Sequence, residues 1–159
     1  MDFITWLPKS EGKSIIMVIV DRLTKHAHFC ALSHPFKAST VATAFMEIVQ
    51  KLHGSPKIIV SDRDPIFTRH FWTELFSCLG TQLDHSSSYH PQFDGQTNIV
   101  DKCLEGYLRC FVSDKQEQWF KWLPLVEWWY NTSFHTTTKM TPFIVLYGYH
   151  PPSITSYLK

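Results

Sequence analysis

Two aspartates carry the first suggestion of chemistry. Asp2 stands on an apolar run at the start of the chain, and Asp62 directly follows the run at 57–61, within Ser61-Asp62-Arg63-Asp64-Pro65. In an α/β sheet, ligands bind outside the carboxyl ends of the strands, so a carboxylate placed there faces substrate rather than core. Two converging carboxylates suit Mg²⁺, which leaves its other positions to water and phosphate oxygens. Paired ions about 4 Å apart stabilise both the attacking and the leaving oxygen of an in-line phosphoryl displacement. On spacing alone, a plain role as turn aspartates competes with this reading. A second grouping is Arg22, Lys25, His26 and His28. The two histidines face one side of a strand, a geometry open to metal. No third or fourth ligand follows at suitable spacing, so they are not read as a metal site.

These residues need a scaffold, and the hydrophobic pattern supplies one. Residues 2–7, 14–21 and 26–32 read as three strands joined by tight connections, an antiparallel meander; the middle one is a continuous apolar run of the kind buried on both faces. Ser39 or Thr40 is expected to cap a helix whose stripe is Val41, Phe45, Ile48, Val49 and Leu52, stopped by Gly54 and Pro56. A fourth strand at 57–61, a helix at 68–79 and a fifth strand at 81–85 follow, which suggests a crossover unit. Residues 86–94 read as a loop. Long helices are expected at about 96–114, with Val100, Leu104, Leu108 and Phe111 on one face, and at about 118–131, where Pro124 should kink or divide the helix. Thr141 caps a last turn that ends near Gly148. The fold class is therefore α/β, a five-stranded mixed sheet flanked by helices.

The totals narrow the class. With 159 residues, the chain suits one domain. A chain of that size buries roughly 70% of its unfolded surface, so it needs neither disulfide nor structural metal. Cys30, Cys78, Cys103 and Cys110 form no Cys-x-x-Cys pair, which argues against a zinc ribbon or disulfide framework and for reduced thiols. No apolar run approaches the roughly 20 residues that span a bilayer, and no secretory signal is visible. An intracellular protein, nuclear or cytoplasmic and not secreted, is expected. The net charge of +1 does not by itself point to nucleic acid.

Several long blocks resemble the integrase catalytic cores of LTR retrotransposons of the Ty3/gypsy type. They are MDFITWLPKSEGKSIIMVIVDRLTKHAHF, IIVSDRDPIFTRHFW, SSSYHPQFDGQTN, CLEGYLRCF, QWFKWLPLVEWWYNTSFH and TPFIVLYGYHPP, which together span nearly the whole chain. The resemblance implies a ribonuclease-H-like fold and an Asp, Asp, Glu triad holding two Mg²⁺ or Mn²⁺ ions. By that match Asp2 is the first acid and Asp62 the second. The third falls at position 98, after 35 intervening residues, where the family pattern Gly-Gln-Thr-Glu reads Gly95-Gln96-Thr97-Asn98. The resemblance further implies DNA as partner, a homodimer or higher oligomer, and a loop through Tyr89, His90 and Gln92 that approaches DNA. Lys102 and Arg109, seven apart on the long helix, could track phosphates, or simply form its solvated face.

Two departures qualify the expectation. Asn98 offers one neutral amide oxygen where glutamate offers a full charge and two oxygens. Loss of one member of a catalytic unit implies at least roughly two or three orders of magnitude in rate, unless Asp94 or Asp101 substitutes from near the same helical face. The other departure is the start, where Asp2 follows Met1 directly. The whole chain, 1–159, reads as one catalytic core with its first strand truncated and without a zinc-binding or chromodomain-like region. The leading expectation is DNA integration by 3′ processing and strand transfer, impaired in this copy. An inactive nucleic-acid-binding or dimerisation module and a decayed fragment are the alternatives.

Overall fold

The computed structural model describes residues 1–5, 7–57, 59, 70, 73–75, 77, 94–112 and 116–152, with backbone alone at 94–99, 101, 111, 112 and 116. Three strands, β1 (Asp2–Ile4), β2 (Ile15–Val20) and β3 (Ala27–Leu32), form the expected antiparallel meander in the order β1-β2-β3. β1 ends at Ile4 rather than at residue 7. Pro8 has no N–H for a ladder, and the chain turns at Ser10–Lys13, where Glu11 and Gly12 both take positive φ. The five-stranded mixed sheet is not seen among the described residues. Lys57 and Ile59 lie in no strand, and the rest of 57–61 and all of 81–85 fall outside the described residues. Of 68–79, His70, Thr73, Glu74, Leu75 and Ser77 are described, and all five are helical.

Strand alternation gives the sheet two apolar faces. Ile4, Ile16, Val18 and Phe29 point to one, and Phe3, Met17, Ile15 and Leu32 to the other. The second face is covered by α1 (Ala38–Phe45) through Val41, Ala42 and Phe45. This helix begins earlier than expected. Its N-cap is Lys37, whose carbonyl already accepts from Thr40 and Val41 N–H, so Ser39 and Thr40 lie within the first turn instead of capping it. A π-helical turn, Met46–Gln50, and a final turn, Lys51–His53, continue it to Gly54. Leu52, expected in the buried stripe, is 59% exposed. Each i→i+5 bond widens the turn and slows the rotation of the face, so the apolar stripe drifts out of phase beyond Gln50.

The first face is covered by α2 (Asp94–Val112) and α3 (Trp119–Thr132). Val100, Leu104 and Leu108 of α2 and Trp119, Leu123, Val126 and Tyr130 of α3 complete that core. Pro124 neither divides nor ends α3, which runs unbroken through it. It sits on the exposed side, where water can serve the carbonyl that its missing N–H leaves over. Trp119 is buried and donates to the Pro8 carbonyl at 2.7 Å, Trp128 packs its ring against Phe143, and Trp129 is exposed. α4 (Pro142–Tyr147) is capped as expected: Thr141 Oγ1 accepts from Ile144 N–H at 3.2 Å, and Gly148 closes it at φ +77°.

β3 has an edge that no described strand pairs, and α3 occupies it. Asn131 Oδ1 accepts from Ala27 N–H and its Nδ2 donates to Ala27 O, both at 2.8 Å. One turn earlier Glu127 Oε2 accepts from Phe29 N–H at 2.7 Å. Four helical residues rise about 6 Å and two strand residues about 6.6 Å, so an i, i+4 pair meets an i, i+2 pair in step.

Candidate active site

Asp2 opens β1 and pairs with Val18, which in turn pairs with Phe29. Directly opposed residues share a face, so Asp2 belongs to the face covered by α2 and α3. Its Oδ1 accepts from Phe3 N–H at 2.7 Å, and the side chain is half-buried. Position 98 is the fifth residue of α2, two before the buried Val100. The topology therefore brings Asp2 and the helix bearing position 98 to the same layer of the fold. Asp94, placed in a loop by sequence, is the first residue of that helix. Asp62, Tyr89, His90 and Gln92 lie outside the described residues, and so does the loop at 86–93. Lys102 and Arg109 are both exposed on α2, as expected for residues seven apart on one helix face.

A constellation that sequence spacing did not reveal lies on the other face. His26 and His28 of β3 meet His53, at the end of the helical segment that follows α1. His28 Nε2 is 2.9 Å from His53 Nε2, and His28 Nδ1 is 3.1 Å from Glu127 Oε1. The ring of His26 lies 4.9 Å from that of His28 and 5.9 Å from that of Tyr147. The expectation that the pair has no third ligand partner is therefore corrected. The third imidazole arrives from 25 residues further along, because the π-turn rotates His53 back toward the sheet while Leu52 swings out. The sequence carries no signal of this, because the apolar stripe reads in phase through Leu52. Burial pushes the His26 imidazole down to about 4, aided by the nearby His28 and His53 and opposed by Asp21. Burial also lowers His53. Asp21 is pulled the other way by its burial, but hydrogen bonds from Thr24 N–H and Oγ1, at 2.9 and 2.6 Å, hold its carboxyl below the usual range.

The sequence pattern described as the integrase core domain matches residues 1–91. The chain belongs to that family. This integrase core is also similar to the transposon Tf2-3 and Tf2-4 polyproteins of Schizosaccharomyces pombe, at 36% identity over 151 residues in each case. The match takes in 95% of the chain and 11% of each polyprotein, so the chain spans about a tenth of the length of these curated relatives. The resemblance to Ty3/gypsy-type cores drawn from the motifs stands. Among solved structures, it is similar to a chain in the cryo-electron-microscopy structure of the simian T-cell lymphotropic virus intasome in complex with PP2A regulatory subunit B56 gamma. The two share 17% identity and a TM-score of 0.68, over 96% of this chain and 55% of that one. That likeness establishes an integrase-like α/β fold. No helix among the described residues is long and apolar enough to cross a membrane.

The buried His26 gives this integrase core a defined pH response. Above about pH 6.5 the imidazole is neutral in both folded and unfolded chains. Between that point and about 4 only the unfolded chain takes up the proton, so stability is lost as pH falls. Below about 4 this group costs nothing further. In chelator-treated buffer, the unfolding free energy from urea titration should decline across this window with a slope of up to about 1.4 kcal/mol per pH unit from His26. His53 acts in the same direction. The decline should flatten in His26→Phe; a profile equally steep in that variant would assign the proton elsewhere.

Proposed function

We propose that residues 1–159 form the catalytic core of a retroelement integrase, which joins element DNA ends to target DNA by metal-dependent polynucleotidyl transfer. The observation that carries this is the family match over residues 1–91, the stretch that contains Asp2 and Asp62. Asp2 and Asp62 would hold Mg²⁺ or Mn²⁺, with Asn98 at the third position. The ions would supply activation of the attacking hydroxyl and neutralisation of charge on the leaving oxygen. The donor set fits such ions in part: two carboxylates suit a hard dication, while the Asn98 amide brings no charge. We read this copy as an impaired transferase. The finer architecture we propose is ribonuclease-H-like, with further strands at 57–61 and 81–85 completing the sheet.

For DNA we assign Tyr89, His90 and Gln92, in the segment before α2, and Lys102 and Arg109 along its exposed face. A phosphate backbone attracts such exposed cations without regard to sequence. Assembly as a homodimer or larger oligomer and action on chromosomal DNA inside the cell belong to the same reading. Asn98 favours a second one, in which the domain binds DNA or a second copy without cutting.

One assay separates them. The purified chain with Mn²⁺ and an element-end oligonucleotide should yield weak joining that Asp62→Asn abolishes. DNA retardation without joining in any divalent metal would support the binding module, and absence of both would sink the two readings together.

A further inference from the structure

We propose that His26, His28 and His53 form a transition-metal site, of the class that takes Zn²⁺, on the sheet face opposite Asp2. Their nearest ligand nitrogens all lie within 4.8 Å of one another. A tetrahedral Zn²⁺ with Zn–N bonds of about 2.0–2.1 Å sets its ligand atoms roughly 3.3 Å apart. The 2.9 Å separation between His28 Nε2 and His53 Nε2 needs to open by only a few tenths of an ångström. The other separations, at most 4.8 Å, close toward that ligand spacing by rotation of the imidazole rings.

The surroundings are those of a ligand set. Glu127 holds His28 Nδ1 through Oε1 while its Oε2 is fixed by Phe29 N–H. A carboxylate behind an imidazole places the proton on Nδ1 and turns the Nε2 lone pair toward the cluster, the arrangement that orients metal-bound histidines and raises their basicity. In the metal-free protein His53 then donates to His28 across the 2.9 Å contact. Asp21 lies close enough to act electrostatically on both His26 and His53, so with Glu127 two carboxylates balance a dication. Three imidazoles select borderline ions such as Zn²⁺ over Mg²⁺, which prefers oxygen. His26 and His28 also line a groove of about 760 Å³, with Trp128 and Tyr147, from which water would fill the fourth position. Bound there, the ion would tie the end of the α1 segment to β3 and, through Glu127, to α3.

The site does not depend on the proposed transferase activity, and its test does not read activity. The chelator-stripped chain is titrated with Zn²⁺ by calorimetry, and with Co²⁺ by visible absorption. One equivalent should bind, Tm should rise, Co²⁺ should show the intense bands of a tetrahedral nitrogen site, and Mg²⁺ should not compete. Glu127→Gln should weaken binding by about 10–100-fold. His53→Ala and His53→Gln, exposed substitutions checked by circular dichroism, should weaken it further, and Asp62→Asn should leave it unchanged. Absence of Zn²⁺ binding, equal affinity in both folded His53 variants, or loss of binding in Asp62→Asn would each overturn the site.

Discussion

Asn98→Glu should raise metal-dependent strand joining by at least about 100-fold over the unmodified chain, measured with Mn²⁺ on an element-end oligonucleotide. The argument is electrostatic. Two dications beside Asp2 and Asp62 meet two protein charges, whereas a glutamate at position 98 makes three and adds a second oxygen. In a catalytic unit the loss of one member costs nearly as much as the loss of the whole, so restoring it should recover most of the deficit. The helix needs no rearrangement to accept the change. Position 98 lies in the first third of α2, and glutamate is the better helix former. Asp94 and Asp101 are the rival explanation, since α2 carries both one turn either side of Asn98. If the unmodified chain joins strands as fast as the Asn98→Glu variant, one of them is standing in, and Asp94→Asn or Asp101→Asn should then abolish joining.

Asn131→Leu should destabilise the fold by about 2–4 kcal/mol, which for a chain of this length lowers Tm by roughly 5–15 °C. Asn131 is buried, 5% exposed, and Ala27, whose N–H and C=O it satisfies, is wholly buried. Leucine keeps the branched skeleton of asparagine with two bulkier methyls in place of its oxygen and nitrogen, so no cavity arises and the loss combines two backbone groups left without partners with some overpacking. Thermal or urea unfolding measures it directly. A loss below about 1 kcal/mol would mean that water reaches Ala27 and that the side chain does not seal the strand.

Much of this was legible in the sequence, because the signals were local. The three strands were visible as apolar runs, and the Thr141 cap and Gly148 stop act within one turn, so nothing distant overrides them. Asp2 could be placed on a strand, but the face it shares with α2 became apparent only from the register Asp2↔Val18 and Val18↔Phe29. The histidine cluster was hidden for a different reason. His53 is aimed by a π-turn that the sequence pattern does not show, since the stripe reads in phase through Leu52 and an ideal 3.6-residue helix would have kept Leu52 inside. Pro124 misled because propensity charges the full cost of an interior proline, while its solvent-side position and the buried Leu123 and Val126 beside it keep α3 whole.

The side chains that line the margin of β3 also decide how copies of this domain can meet. With Glu127 and Asn131 seated on Phe29 and Ala27, a neighbouring molecule finds no row of open amides there on which to lay a strand. Open-ended, fibre-like stacking is closed off on that side. Among the described residues, Trp129, Phe134, Tyr147 and Tyr149 expose aromatic surface with no ladder to propagate. Contact through such a surface can end in a closed, symmetric pair, an assembly of fixed size rather than a growing one.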